Sequence, residues 1–112
     1  MSSHPPVDRI TMFKISNLEH RDRVLQQYKT LVQTAVKDGK PYITSLTAGP
    51  VPAPCAEPEP RAKGFTLAVK AEFASREDME YYDTHCEAHK ALKEVAKPGI
   101  EDMVTVWYER VF

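Results

Sequence analysis

The chain has 112 residues, of which 42% are hydrophobic and 28% are charged, and its formal net charge is -1. This balance is typical of a folded protein, and we expect one domain over residues 1–112 because the chain is too short for a second core. The 15 basic residues are interspersed with 16 acidic ones and form no basic run, which excludes a nucleic-acid-binding surface. No stretch of about 18 apolar residues could span a membrane, and residues 1–9 are unlike a signal peptide, so we expect a cytoplasmic protein.

The first third of the chain predicts a strand followed by a helix. Residues 10–15 are rich in β-formers, which predicts the first strand. Ser16 and Glu19 have capping-box spacing, so we expect the helix to start there, because each side chain can satisfy the other's free backbone N–H. Apolar residues between 24 and 36 recur at three-and-four spacing, which indicates one buried helical face. The Asp-Gly pair at 38–39 predicts the helix end.

The middle of the chain predicts two strands joined by a long loop. Residues 42–47 suit a second strand, and residues 65–73 alternate strictly as a third strand does. Between them, a proline-rich hairpin loop over residues 49–64 is either a surface excursion or a lid over a pocket. Cys55 lies in this loop and Cys86 near a helix end; a disulfide between them is an alternative, but we expect free thiols in a cytosolic chain.

The last third predicts a broken helix and a final strand. Ser75 and Asp78 have a second capping-type spacing, and residues 85–87 are expected to interrupt the helix. Helical spacing resumes over residues 88–97, and residues 103–108 alternate as a strand. The resulting order predicts an α+β fold of ferredoxin-like βαββαβ type with a four-stranded antiparallel sheet.

This order also predicts a homodimer. Right-handed crossovers place both helical regions on one side of the sheet, so the other face is open. Apolar residues lie on both faces of the terminal strands, and pairing of two sheets face to face would remove them from water. The alternative is a monomer with a partly polar face, because Lys70 and Glu72 are charged.

Side chains that could take part in catalysis are concentrated in residues 80–92, which contain two tyrosines, two histidines and a thiol. His85 and His89 are four residues apart and could bind a metal with Cys86 or Glu87, but no further ligand cluster occurs, so we predict no metal. A second interpretation is general acid/base catalysis by His89 together with a phenol one or two helical turns earlier. A third is that His89 and the tyrosines only pack a helix junction.

Several motifs in this region resemble one family. The third strand ends in Glu-Phe and is followed by a Ser-capped helix at residues 72–75, then by the pair Tyr81 and Tyr82, then by Ala-His-Lys-Ala-Leu at residues 88–92. This order of motifs is similar to that of the stress-responsive dimeric α/β-barrel family, and the first and last strands also resemble those of the family. The resemblance implies a dimeric barrel, and its cofactor-free cyclases imply that His89 and Tyr82 form the acid/base pair, with Tyr81 as the alternative phenol.

From this resemblance we predict a cofactor-independent lyase or cyclase that acts on a small polyketide-type or phenolic metabolite. His89 would abstract a proton next to a carbonyl while Tyr82 stabilises the enolate, in a cavity enclosed between the two paired sheets. Arg9 would pair with a substrate carboxylate or reach solvent. The residues expected to contact substrate are Tyr81, Arg9, Met12, Phe65, Trp107 and His85.

Two other functions remain open from sequence. The chain could be a non-enzymatic homodimeric stress protein that packs the cavity or binds a hydrophobic ligand in it. It could also be a monooxygenase of the same barrel fold, acting without a cofactor or through haem held by His85 or His89.

Overall fold

The computed structural model describes residues 4–52 and 60–112, in which a four-stranded antiparallel sheet carries helices on one face. In chain order the elements are β1 (Val7–Lys14), α1 (Leu18–Lys29), α2 (Leu31–Thr34), β2 (Val36–Lys37), β3 (Lys40–Pro41), β4 (Ile43–Pro50), β5 (Leu67–Phe73), α3 (Arg76–Thr84), α4 (Glu87–Ala96) and β6 (Asp102–Glu109). Short 3-10 turns precede β5 and follow α4, at Pro60–Ala62 and Lys97–Gly99.

The strand order across the main sheet is β4-β5-β1-β6. β1 therefore pairs with both β5 and β6, and every neighbouring pair is antiparallel. With one helical region between β1 and β4 and another between β5 and β6, the predicted ferredoxin-like βαββαβ fold is confirmed. The protein also has a small hairpin of β2 and β3, which was not predicted from the sequence.

The two faces of the sheet differ in burial. Val7 and Phe13 of β1 and Leu67 and Phe73 of β5 are buried under the helices, as alternation along a strand requires. Ile10 and Met12, which alternate with the buried residues of β1, point to the opposite face, which we call the free face. On the free face Val106 of β6 is 54% exposed in a single chain, so apolar area there stays in contact with water.

Helix α1 begins one residue later than the predicted capping box. Asn17 is the N-cap, and its side-chain oxygen accepts the His20 N–H at 2.9 Å. The capping box of Ser16 and Glu19 is therefore wrong: the Ser16 N–H instead donates to the Glu101 carboxylate at 2.7 Å. A contact across 85 positions of sequence has replaced the local one.

The end of this helical region also differs from the prediction. α1 ends at Lys29, and residues 38–39 form the tight turn between β2 and β3 rather than a helix end. Asp38 has φ of 54° and Gly39 has φ of 77°, and two consecutive left-handed residues are the signature of a type I′ hairpin turn. The Asp-Gly pair thus encodes a hairpin.

The second helical region follows the prediction closely. Ser75 caps α3 by accepting the Asp78 N–H at 3.2 Å, and the helix breaks at residues 85–86 as expected. In the predicted loop, β4 extends to Pro50, while residues 53–59, including Cys55, lie outside the described residues. The two alternatives raised for this loop, a lid over a pocket and a disulfide between Cys55 and Cys86, therefore involve residues outside the described part of the chain. Among the described helices, none is long and apolar enough to cross a membrane.

Candidate active site

The break between α3 and α4 brings His89 against the end of α3. The Tyr81 carbonyl accepts the N–H groups of both His85 and Cys86, at 2.8 and 3.1 Å, which closes α3. α4 then starts at Glu87, so the first turn of α4 lies beside the last turn of α3. As a result Tyr82 and His89, seven residues apart, are in direct contact.

The imidazole of His89 is fixed by two contacts with Tyr82. Its Nδ1–H donates to the Tyr82 backbone carbonyl at 2.9 Å, and its ring stacks on the Tyr82 ring with centroids 3.7 Å apart and planes 10° apart. Because Nδ1 carries the proton of the neutral ring, Nε2 is the nitrogen that can accept one. His89 is only 3% exposed, so the ring is held in one orientation.

Burial also sets the charge state of His89. Desolvation lowers the pKa of His89 to about 4, and this outweighs the hydrogen bond to the Tyr82 carbonyl, which acts in the opposite direction. The imidazole is therefore neutral at pH 7. A neutral ring with a free Nε2 has the protonation state of a general base.

His89 lines a pocket of about 440 Å³ between α4 and the helix-covered face of β1 and β6. This volume lies within the usual range for small-molecule sites. The apolar part of its wall consists of Phe13, Leu92, Ala96, Ile100 and Met103. The polar part consists of Arg9, Thr11, Tyr28, His89, Lys90, Lys93, Glu94 and Lys97. We call this cavity the α4 pocket.

Arg9 is a buried cation in the wall of the α4 pocket. Its NH2 group forms an ion pair with the Asp83 carboxylate at 2.8 Å, and its NH1 group donates to the Thr11 hydroxyl at 2.8 Å. The guanidinium also lies 5.2 Å from the centroid of the Tyr82 ring. Since Arg9 is only 8% exposed, the alternative that it reaches solvent is wrong.

Two phenols lie near the imidazole. Tyr82 stacks on His89 and is 1% exposed but is not among the residues that line the α4 pocket. Tyr28 of α1, which sequence reasoning assigned only to the apolar stripe, does line it. Burial raises the pKa of Tyr28 to about 12 and raises the pKa of Tyr82 as well, so both phenols keep their protons at neutral pH. A phenol within an otherwise aliphatic stripe was the signal for Tyr28.

The position of the pocket corrects one expectation. We expected His89 to face a space enclosed between two paired sheets, but the pocket lies on the helix-covered face, within one chain. Arg9 and Phe13 point to that face because they alternate with Met12, which points to the free face. Met12 is consequently separated from His89 by the sheet itself.

The other predicted substrate contacts lie outside the α4 pocket. Phe65 precedes β5 and is half-buried. Trp107 of β6 is half-exposed, with the Arg76 guanidinium 5.0 Å from its ring centroid. Of the residues expected to contact substrate, the structure places Arg9 alone with His89 in the wall of the α4 pocket.

Tyr81 and His85 form a separate aromatic group. Their rings stack with centroids 5.8 Å apart, and Tyr81 also makes an edge contact with Tyr42. His85 is exposed at the end of α3, whereas His89 is buried in α4, so the two imidazoles do not share a helical face. Among residues 4–52 and 60–112, no group of three or more His, Cys, Asp or Glu side chains could hold a metal ion.

Comparison with known proteins identifies a family and a relative. The family model described as the stress responsive A/B barrel domain matches residues 7–109. A relative from Gibberella zeae, named as a Fusaristatin A biosynthesis cluster protein, is 42% identical over 104 residues, which are 92% of this chain and 72% of the relative.

Solved structures share the fold at lower identity. A hydroxynitrile lyase from Passiflora edulis superposes with a TM-score of 0.75 at 21% identity, over 95% of this chain and 94% of that one. A dimeric ferredoxin-like protein of unknown function from Thermobifida fusca also has a TM-score of 0.75, at 17% identity, over 98% of this chain and 95% of that one.

Proposed function

Because the chain belongs to the stress-responsive A/B barrel domain family, we propose that its α4 pocket performs cofactor-independent lyase or cyclase chemistry on a small polyketide-type or phenolic metabolite. One observation carries the proposal. A buried, neutral imidazole whose Nδ1 proton is already bonded to a carbonyl lines a largely apolar pocket of metabolite size. A neutral imidazole in the wall of such a pocket has the protonation state of a general base.

In the proposed reaction, Nε2 of His89 takes the proton from a carbon next to a substrate carbonyl. The carbonyl oxygen gains the electron pair as an enolate, which then attacks a second carbonyl and forms a carbon–carbon bond. The imidazolium returns its proton to the alkoxide that this attack produces, so the step consumes no oxidant or reductant. The Tyr82 carbonyl stabilises the imidazolium through the hydrogen bond from Nδ1.

A phenol is proposed to stabilise the enolate by donating a hydrogen bond. The family resemblance assigns this role to Tyr82, whose raised pKa keeps the donor proton in place, but Tyr82 does not line the α4 pocket. We therefore assign the contact with the enolate to Tyr28, which lines the pocket directly and also keeps its proton. The guanidinium of Arg9 adds positive charge next to both rings.

The relatives are consistent with this class of chemistry. The Gibberella zeae relative is named for a biosynthesis cluster, which supports a metabolite as substrate, and the Passiflora edulis enzyme is a lyase built on the same fold. The second candidate function is binding of a hydrophobic ligand without chemistry, which the apolar part of the wall would also serve.

We further propose that the protein is a homodimer joined through the free face. Val104, Val106 and Tyr108 of β6 expose apolar side chains next to one another on this face, and contact with a second chain would remove them from water. The protein from Thermobifida fusca with the same fold is dimeric, which supports the dimer itself. In such a dimer each chain would keep its own α4 pocket, because that pocket lies on the other side of the sheet.

The test of the catalytic proposal is deuterium exchange next to a ketone. 4-oxo-4-phenylbutanoate and its amide are incubated with the protein in D2O, and loss of the α-proton signal is followed by NMR. Wild-type protein should accelerate exchange of at least one ketone, and His89→Gln should lower that rate by about 100-fold. Tyr82→Phe and Tyr28→Phe identify the phenol: the one that matters should lower the rate by about 10-fold or more.

The control variant is His85→Gln, which removes an exposed imidazole four residues away. Exchange should continue at the wild-type rate in this variant. If His89→Gln and His85→Gln behave alike, or if the wild-type protein exchanges neither ketone above background, the catalytic proposal fails and the binding function remains.

A further inference from the structure

The charge around the α4 pocket is strongly asymmetric. Four cationic side chains line it, namely those of Arg9, Lys90, Lys93 and Lys97, against the single carboxylate of Glu94. This imbalance occurs in a chain whose formal net charge is -1, so it is a local feature. A pocket lined by one sign of charge raises the local concentration of ligands of the opposite sign.

The cations occupy two levels of the pocket. Lys90, Lys93 and Lys97 are exposed and follow one another at helical spacing along α4 and its end, so they surround the mouth. Arg9 is buried on β1, below them. An anion entering the pocket therefore meets positive charge first in water and again where water is largely absent.

Arg9 has donors available for such an anion. A guanidinium carries five N–H groups, and the hydrogen bonds to Thr11 and Asp83 use two of them. Nε is buried without a hydrogen-bond partner. Asp83 is 37% exposed and contacts only NH2, so it balances the charge of the guanidinium without occupying the remaining donors. A carboxylate is the partner whose geometry best suits the remaining donors.

The apolar wall defines the rest of the ligand. Phe13, Leu92, Ala96, Ile100 and Met103 offer no hydrogen bonds from their side chains, so the ligand body next to them should be aromatic or aliphatic. An ammonium ion would have to pass the three exposed lysines at the mouth and would meet only the carboxylate of Glu94 there, which disfavours amines.

We propose that the α4 pocket selects organic acids with an aromatic or aliphatic body, whose carboxylate is held by Arg9 and attracted by the lysines at the mouth. This inference names the substrate class of the proposed function and rests on that function for its catalytic meaning. Arg9 is here a residue that determines specificity.

The experiment compares three probes that differ only in the charged end. Calorimetric titration measures binding of 4-phenylbutanoate, 4-phenylbutanamide and 4-phenylbutan-1-amine. The carboxylate should bind about 10-fold more tightly than the amide, and the amine more weakly than both. Raising the salt concentration should lower the affinity for 4-phenylbutanoate and leave the affinity for the amide unchanged, because salt screens the charge of the exposed lysines.

Two sets of variants locate the effect. Arg9→Gln should bring the carboxylate-to-amide ratio close to one while the amide affinity is kept, with circular dichroism as the check on folding. Lys90→Gln and Lys97→Gln alter only exposed positions, and each should lower carboxylate affinity about 2-fold to 5-fold even if Arg9→Gln does not fold. The matched control is Lys40→Gln, an exposed lysine on the β2–β3 hairpin, which should have no effect.

The outcomes separate this inference from the catalytic proposal. Equal binding of the three probes, preference for the amine, no carboxylate binding, or an equal effect of Lys40→Gln would overturn the charge selection. If the probes show the charge selection but no His89-dependent deuterium exchange is found, only the catalytic proposal is overturned.

Discussion

The depressed pKa of His89 predicts a specific acid sensitivity of the fold. In the unfolded chain this imidazole titrates at its ordinary value of 6.5, and in the folded protein at about 4. Between these values the unfolded state binds a proton that the folded state excludes, so stability rises with pH. The contribution of His89 is therefore complete above about pH 6.5 and is lost as the pH falls towards 4.

The size of the effect follows from the two pKa values. Integrating the difference in bound protons gives a loss of about 2 kcal/mol between pH 7 and pH 5, and about 3 kcal/mol by pH 4. Replacing His89 by Gln removes the titrating group. The wild-type free energy of unfolding should then fall by about 2 kcal/mol more than that of His89→Gln over the range from pH 7 to pH 5.

Urea unfolding at fixed protein concentration, followed by circular dichroism at several pH values, measures this difference. Asp8, whose pKa the hydrogen bond from Arg110 lowers, does not interfere, because a lowered carboxyl pKa affects stability only near and below its ordinary value of 3.8. His85→Gln is the control and should follow the wild type. Parallel curves for wild type and His89→Gln would refute the assignment of His89 as a buried neutral group.

Two further predictions concern packing and assembly. A Cβ on Gly99 would overlap the buried His20 ring, so Gly99→Ala should cost about 1 to 3 kcal/mol in chemical denaturation. Gly49→Ala, where nothing lies within 4 Å, should stay within about 0.5 kcal/mol of wild type, and a similar loss in both variants would contradict the clash. Val106→Lys on the free face should convert dimers to monomers in light scattering, whereas Val36→Lys on the distant hairpin should not; dimers that survive Val106→Lys would place the interface elsewhere.

The order of elements could be predicted from sequence because each main strand and the α3 cap carry local signals. Ser75 and Asp78 both belong to the cap they predict, and the alternation of β5 appears in its burial pattern. The start of α1 was predicted one residue too early, because Ser16 and Glu19 have the spacing of a capping box. The Ser16 N–H donates instead to the Glu101 carboxylate from the far end of the chain, and Asn17 is the cap. The β2–β3 hairpin was missed because an Asp-Gly pair suits both a helix end and a type I′ turn.

For the candidate site, the sequence could predict the central residue, His89, but not the face of the sheet on which the cavity lies. His89 stands in a motif that the sequence displays, whereas the face of the sheet on which it lies depends on how β1 is oriented. Both faces of β1 carry apolar side chains, with Val7 and Phe13 on one and Ile10 and Met12 on the other. Periodicity alone therefore could not decide which face receives the helices, and the cavity was assigned to the wrong one.

The two proposals about the α4 pocket support each other chemically. An imidazole with a pKa of about 4 is a weak base at pH 7, so it needs help to remove a proton from carbon. Nearby negative charge favours the imidazolium, and a substrate carboxylate bound in the same pocket supplies it. Burial keeps His89 neutral until the substrate arrives, and the cations of Arg9 and Lys93 act in the same direction while they attract that carboxylate. The acid that the pocket selects would thus also raise the basicity of His89.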